Sequence, residues 1–447
     1  MIDSSPTTRI RALVRAGAIG QAADTAAGLI TEAFGLPVAA VELTLDEYSL
    51  NSVSGRVRFA DGHLEFFKFH SEEGEEAHVT EYYRAQLLAD AGLPVELPLR
   101  VAGAPGRQIA LYELRTEPRM ADVCAELERG DGRLPAELAV ARRALDRVTG
   151  EVAVRTLRPG DPGARPAIHQ LFWRRLTDAA GRFPGGRYRA WYSSDPAYAE
   201  LAGRRFVING VEYARTLGEI AADAARLLDP AVLAAGPVVT AHGDDHQGNV
   251  WVLTRHCAAQ GGRPPYPPRA AGGGKAVELR LFDPAFAGSD LPALLAPVKA
   301  TFHNVFAHPF WLYHPSEAAG RIGVEVSIGD KVIEVSDDAG LPPLRREIGD
   351  SIAGLVWVPL LRELARRGQL PPDWRATVRA ALACCPLLVT NLLGPPGKLA
   401  AGRPEPIRYL GLARTVMAGS EPVNGEDPVS RLLDSLEDSL NDSREAA

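Results

Sequence analysis

Hydrophobic positions change their period twice along the first 115 residues. Over 7–34 they recur loosely by helical turns, with Leu13, Ile19, Ile30 and Phe34 in an alanine-rich background, which predicts a helical opening. The period then shortens to two. VELTLDEY (41–48), SVSGRVRFA (52–60) and HLEFFKF (63–69) predict three strands, and Asp61-Gly62 between the last two is a hairpin signal. A helix is expected from Glu72 to Asp90, with Gly92 and Pro94 as its C-terminal punctuation. VELPLRVAGA (95–104) and RQIALYEL (107–114) predict another pair of strands.

From about residue 118 the helical period dominates. Amphipathic helices are expected over 136–157 and 168–183, and the second opens an aromatic stretch with Trp173, Tyr188, Trp191, Tyr192 and Tyr198. A further helix near 214–228 precedes two strands, VWVL (250–253) and VELRLFD (277–283). The Pro- and Gly-rich 258–275 segment between them is expected to be a surface loop. RIGVEVSIGDKVIEVSDD (321–338) reads as a hairpin turning at Gly329-Asp330. Helices are expected at 343–367, 372–393 and 405–418, and a polar acidic tail follows.

Chemistry concentrates just before VWVL. The run His242-Gly243-Asp244-Asp245-His246-Gln247-Gly248-Asn249 places Asn five residues after Asp, the spacing of the protein-kinase catalytic loop H-R-D-x-x-x-x-N. The strand 277–283 then ends in Asp283-Pro284. With Gly in place of Arg, the loop resembles that of the aminoglycoside phosphotransferase and choline kinase superfamily, small-molecule kinases on a protein-kinase-like fold. The resemblance covers about residues 38–315, with specific motifs only at 242–249 and 283–284. It implies an α+β, two-lobed fold with a small antiparallel-sheet N-lobe and a mostly helical C-lobe. The segments then fall as an N-terminal helical extension (1–37), an N-lobe (38–115), a C-lobe with the catalytic loop and inserts (116–418) and an acidic tail (419–447).

Phosphoryl transfer asks for positioning and charge stabilisation. Asp244 is expected to take the acceptor's hydroxyl proton, and Asn249 and Asp283 to ligate Mg2+, a hard ion that favours oxygen donors. His242 is expected to buttress the loop. Lys68 shares a strand face with Leu64 and Phe66, opposite Phe67 and Phe69. In the third strand before a helix it occupies the place of the kinase lysine that pairs with phosphates, and Phe66 would roof the adenine. Of the glutamates on the following helix, Glu81 is the expected carboxylate partner, because Ala77, Ala85 and Leu88 give it apolar neighbours at helical spacing while Glu72, Glu73, Glu75 and Glu76 form a solvated N-terminal cluster; a surface glutamate is the alternative. The phosphate-covering turn falls on Ser49, Asn51 and Ser52, and the resemblance implies Ser or Asn there. Tyr112, Glu113 and Leu114 occupy the expected adenine hinge. Acceptor candidates are His303, Asn304 and His308, with Trp311 and Tyr313 nearby, or the aromatic stretch; ordinary packing is the alternative for both. Asp290 is expected to be structural.

Composition narrows the partners more than the chemistry. The chain has 447 residues, 46% apolar and 23% charged, with a net charge of −7, ordinary for a globular enzyme and against a dedicated nucleic-acid partner. Four cysteines without a C-x-x-C pair support neither a zinc site nor a disulfide framework. No signal-peptide pattern or membrane-length apolar run is read, so a cytoplasmic enzyme acting on a small-molecule hydroxyl is expected. Only five of the 49 basic residues are lysines, so a lysine within an apolar strand needs a reason.

Rival readings are a metal-dependent phosphoesterase and a non-catalytic ligand-binding member of the same fold. His242 and His246 stand four apart like a zinc pair, but Gly243 replaces the glutamate of H-E-x-x-H. All the kinase residue types are present, against the second. DPA in place of D-F-G and no A-P-E segment disfavour a protein kinase. The expectation is an Mg-dependent transfer of the γ-phosphate of ATP or GTP to a sugar, amino sugar, aminoglycoside or amino alcohol.

Overall fold

The structure is a computed structural model and describes residues 5–44, 52–70, 81–104, 106–130, 132–255, 276–307, 309–394 and 402–445. Contacts divide the chain into two compact units: Met1–Asp90, Val95–Glu117 and Phe282–Ala285 in the first, and Ala91–Pro94, Pro118–Leu281 and Phe286–Ala447 in the second.

In the first unit, helices α1 (Pro6–Arg15) and α2 (Ile19–Phe34) precede the strands β1 (Val38–Thr44), β2 (Ser52–Phe59) and β3 (Leu64–His70). Helix α3 (Glu81–Asp90) follows, then β4 (Arg100–Ala102) and β5 (Ile109–Glu113). The sheet order is β1-β2-β3-β5-β4, with every neighbouring pair antiparallel. The single helix expected over 7–34 is two, because Gly17 takes φ +73° and the amides of Gly17 and Ala18 turn back to Val14 O and Leu13 O. A left-handed residue there ends one helix and lets the next start.

Both helices lie on the sheet core. Ile10, Ala26, Leu29 and Ile30 pack with Val57, Phe67, Phe69 and Leu111 in one buried cluster. The period of two in β3 thus puts Phe67 and Phe69 inward and leaves Leu64, Phe66 and Lys68 on the other face. At Gly55 a Cβ would sit 2.2 Å from Glu42 O and 2.8 Å from the Phe67 ring, so β1 and Phe67 close on β2 only because that position has no side chain. The strand expected from Val95 begins only at Arg100; Pro94 and Pro98 carry no N–H for a ladder.

The second unit is mostly helical, beginning with α4 (Met120–Arg129) and α5 (Ala136–Thr156). The amphipathic helix expected over 168–183 is broken into a 3₁₀ turn, Ala167–Gln170, and one helical turn, Trp173–Leu176. One local and one long-range interaction mark the break. The Asp178 side chain accepts from the amides of Ala180 and Arg182, both at 2.9 Å, and the Trp173 indole donates to Ala225 O at 3.0 Å; an Asp that captures nearby amides competes with the helix. The aromatic residues of this stretch pack on one another, with Tyr192 and Tyr198 ring centroids 5.0 Å apart.

Strand β6 (Pro237–Ala241) leads into the 242–249 loop, and β7 (Val250–Arg255) pairs with β8 (Ala276–Leu281) from Val250↔Leu281 to Arg255↔Ala276. The hairpin expected at 321–338 forms as Val324–Ile328 with Val332–Asp337, whose second strand also runs parallel to Arg205–Ile208. Helices α6 (Pro343–Ile352), α7 (Trp374–Val389), α8 (Glu405–Gly419) and α9 (Pro428–Glu445) complete the unit. The acidic last segment buries Val429, Leu433, Leu436 and Leu440 along α9, a stripe at helical spacing. Among the described residues no helix is long and apolar enough to cross a membrane.

Because α2 supplies part of the sheet's core, truncating Ile30, which is fully buried, to Ala is expected to remove about 2–5 kcal/mol of stability. Urea unfolding of Ile30→Ala checks this. An unchanged midpoint would separate the N-terminal helices from the cooperative unit.

Candidate active site

The loop is shaped by a glycine that the backbone requires. β6 delivers a buried His242, and Gly243 then adopts φ +77°, where a Cβ would stand 2.8 Å from Leu291 Cδ2 and 2.9 Å from Phe286 O. No arginine fits that position. The turn brings the Asp244 amide within 3.3 Å of His242 Nδ1, to which it donates, the buttressing expected for this histidine.

From there the loop closes on itself. Asn249 Nδ2 donates to Asp244 O at 2.9 Å, the Asn249 amide donates to His246 O at 2.8 Å, and the Gly248 amide donates to His246 Nδ1 at 3.0 Å. With its amide nitrogen committed to Asp244, Asn249 has its amide oxygen as the atom suited to a hard cation.

Helix α6 and the helical segment Val298–Phe306 hold the loop from outside. The Gln247 amide donates to Asn304 Oδ1 at 2.8 Å. Arg345, buried on α6, forks onto Glu128 of α4 at 2.5 and 3.1 Å. Its Nη1 donates to His303 O, Asn304 O and Gln247 Oε1 at 3.2, 3.0 and 3.4 Å. Glu128 and Arg345 escaped the sequence reading, because a buried ion pair joining positions more than two hundred residues apart leaves no local pattern. Asn304, an acceptor candidate by sequence, is fully buried as the loop's brace.

Around Asp244 the charges are mixed. Its Oδ1 is buried without a hydrogen-bond partner, 3.4 Å from Lys299 Nζ and 3.8 Å from His246 Nε2, while the side chain keeps 14% exposure. Lys299 Nζ lies 3.0 Å from His303 Nε2, and Tyr313 Oη lies 3.4 Å from His303 Nδ1. Burial, then the Lys299 and His246 charges, hold His303 well below the usual imidazole range, so its ring is neutral and Nε2 accepts from the ammonium. Burial also pushes the Asp245 carboxyl up against the opposing pull of His242 and Arg142. Arg142 in turn is held by Asp146, whose Oδ2 accepts from Arg142 Nε at 2.9 Å and from the Ser351 hydroxyl at 2.6 Å. Lys299 also escaped the sequence reading, which applied the scarcity of lysine only to a lysine within a strand.

In the first unit, Lys68 is buried on β3 and forms an ion pair with Asp283. Asp283 itself sits at φ +57°, in the left-handed region, a conformation costing about 1–2 kcal/mol outside glycine and least for Asp and Asn. Phe66 is opposite Tyr112 in the β3–β5 register, Tyr112 is buried and Leu114 half-buried, and Glu113 is exposed and 2.9 Å from Arg115. Glu81 opens α3 as described, with its side chain outside the described residues; Ser49, Asn51, His308 and the 258–275 loop also lie outside them, and Ser52 is described only by its backbone at the start of β2. Trp311 is buried, and its carbonyl accepts from Arg403 at 2.6 Å. Among the described residues no cluster of three or more His, Cys, Asp or Glu is placed to hold a metal ion.

Two expectations follow. Gly243→Ala is expected to destabilise the protein by about 1–3 kcal/mol through its backbone angle, measured as a lowered unfolding midpoint. His303 and His169 are both held below their ordinary pKa by burial first, His169 at about 4. Each takes up its proton in the unfolded chain at about 6.5 and in the folded protein only lower, so stability is complete above pH 6.5 and lost as pH falls toward 4. The loss is about 1.4 kcal/mol per pH unit for each histidine. Urea unfolding at pH 7 and pH 5 checks this, and His169→Phe should remove one histidine's share of the difference.

No protein-family model matches the chain, and no curated protein matches its sequence significantly. Solved structures do. Over 88% of this chain and 97% of its own, a protein assigned as fructosamine-3-kinase from Thermobifida fusca is similar at 15% identity and a TM-score of 0.36. Macrolide 2′-phosphotransferase from Brachybacterium faecium is similar at 15% identity over 81% of this chain and 98% of that one, with a TM-score of 0.30. Aminoglycoside phosphotransferase APH(3″)-Id from Streptomyces rimosus is similar at 12% identity over 84% and 92%, with a TM-score of 0.28. All three are named as kinases or phosphotransferases.

Proposed function

We propose that the chain is a magnesium-dependent phosphotransferase that moves the γ-phosphoryl group of ATP or GTP to a hydroxyl of a small molecule such as a sugar, amino sugar, aminoglycoside or amino alcohol. The observation that carries this reading is the internally closed 242–249 loop. In it, Asn249 Nδ2 donates to the carbonyl of the residue whose carboxylate must face the acceptor, Asp244.

Asp244 orients the acceptor hydroxyl and takes its proton. The acceptor oxygen bonds to the γ-phosphorus, the bond from that phosphorus to the β–γ bridging oxygen breaks, and the nucleoside diphosphate leaves with the electron pair. Asn249, through its amide oxygen, and Asp283, through its carboxylate, would hold magnesium, an ion that favours oxygen donors. When bound, magnesium neutralises the charge that develops on the phosphoryl oxygens. Lys68 supplies a cation to the phosphates, and Phe66 offers an apolar face to the base. The backbone at Tyr112, Glu113 and Leu114 would meet the base edge, and Ser49, Asn51 and Ser52 keep only the phosphate-covering role that the resemblance implies for them. The partner of Lys68 in the structure is Asp283, the role expected of Glu81 rests on the resemblance alone, and His303 is proposed to lie on the acceptor side.

Asp244→Asn is expected to lower turnover by at least about a hundredfold, the scale of a lost general base, while nucleotide still binds. Thermal unfolding with ATP or GTP, with and without magnesium, reads binding by mass action. Asp283→Ala should abolish the magnesium-dependent rise in melting temperature. A wild-type protein whose melting temperature ignores millimolar nucleotide and magnesium would contradict the reading.

A further inference from the structure

We propose that Lys299 is a positioning residue for Asp244: its ammonium holds Oδ1 and so leaves Oδ2 as the oxygen presented to the acceptor hydroxyl. This role rests on the phosphotransferase reading of Asp244.

Three observations carry it. Asp244 Oδ1 has no exposure and no hydrogen-bond partner, yet it lies 3.4 Å from Lys299 Nζ, while the carboxylate side chain as a whole remains 14% exposed. The carboxylate's access to solvent therefore lies on its other oxygen. Lys299 is itself buried, with 4% side-chain exposure, and reaches that place from the helical turn Val298–Thr301 with His303 Nε2 3.0 Å away as acceptor. A neutral His303, with Tyr313 Oη at its Nδ1, fixes the ammonium from behind without adding a competing positive charge. The groups facing the pair are His246, whose ring centroid lies 5.3 Å from that of His303, and Arg175 and Arg345, whose charges act on His303.

A purely structural lysine would be an odd choice here. An ammonium has three donors, and this one has one hydrogen bond and one carboxylate within 4 Å. Burying a charge so incompletely satisfied is unfavourable, and an apolar residue of similar length is commonly tolerated or stabilising in its place. What methionine cannot do is hold Oδ1. With the clamp gone, the carboxylate rotates about its Cβ–Cγ bond, and the proton acceptor no longer stands in one place when the phosphoryl group transfers.

The test is a double-mutant cycle read by steady-state release of ADP from magnesium ATP, with water standing in for the acceptor hydroxyl, on wild type, Lys299→Met, Asp244→Asn and the double variant. The expected result is a kcat at least about tenfold lower for Lys299→Met at unchanged KM for ATP and an undiminished melting temperature. The double variant should be no slower than Asp244→Asn alone, because Lys299 acts through Asp244. Wild-type kcat in Lys299→Met, or losses that multiply in the double variant, would overturn the role. Should Lys299→Met melt lower, His303→Gln serves as the second variant, expected to lower kcat with KM for ATP unchanged; a wild-type kcat there equally overturns the proposal. Wild-type turnover in Asp244→Asn is a separate result and sinks the assignment of Asp244 itself.

Discussion

A guanidinium buried on α6 sets the shape of the 242–249 loop. Arg345 has five N–H groups in a rigid plane, and the second unit satisfies them from three segments: the carboxylate of Glu128 on α4, the Gln247 side chain, and the carbonyls of His303 and Asn304. A buried charge is tolerable only when its partners are complete. The loop, the 298–306 segment, α4 and α6 can therefore be assembled in one arrangement, and any slippage strands a charge in the interior. Asn304 adds the reciprocal tie by accepting from the Gln247 amide.

Among its ion pairs, each unit has one that joins a lysine to a carboxylate of the candidate site. The first holds Lys68 with Asp283, and the second holds Lys299 near Asp244. Phosphoryl transfer calls for both signs: cations for the phosphates and carboxylates for the metal and the acceptor proton. The two pairs differ in setting. Asp283 keeps 32% side-chain exposure and a strained backbone, whereas Asp244 is more enclosed and has Oδ1 sealed off. The difference suits the roles proposed for them: a ligand for a metal has to be reached, and a proton acceptor has to be aimed.

Sequence reasoning carried far where the physics is local. The strand alternation of LEFFKF, the hairpins at 250–281 and 321–338, and the helices of the C-terminal third follow from periodicity, and the structure has them. The expected α+β class, antiparallel sheet first and helices after, is the one observed. Local reading erred where a side chain competes with the backbone or a proline removes a donor. Asp178 ended the helix expected over 168–183, and Pro98 stands where a strand was expected. At the candidate site the loop was legible because spacing within eight residues encodes it. Its supports were not, because Glu128, Lys299 and Arg345 come from distant parts of the chain and meet only after folding. Asn304 was noticed for its chemistry and turned out to brace the loop.

Gly243 has a consequence for how this site can change. Its left-handed backbone and the Phe286 carbonyl 2.9 Å from any added Cβ bar every side chain from the position beside Asp244. The loop is thus unable to change the charge around Asp244 from that neighbour. The ionic groups near its carboxylate are the imidazole of His246, from within the loop, and Lys299, which comes from outside it and belongs to a packed, buried segment. Apart from His246, a change in the charge facing Asp244 would have to remodel the interior around residues 298–306, where packing and electrostatics are inherited together.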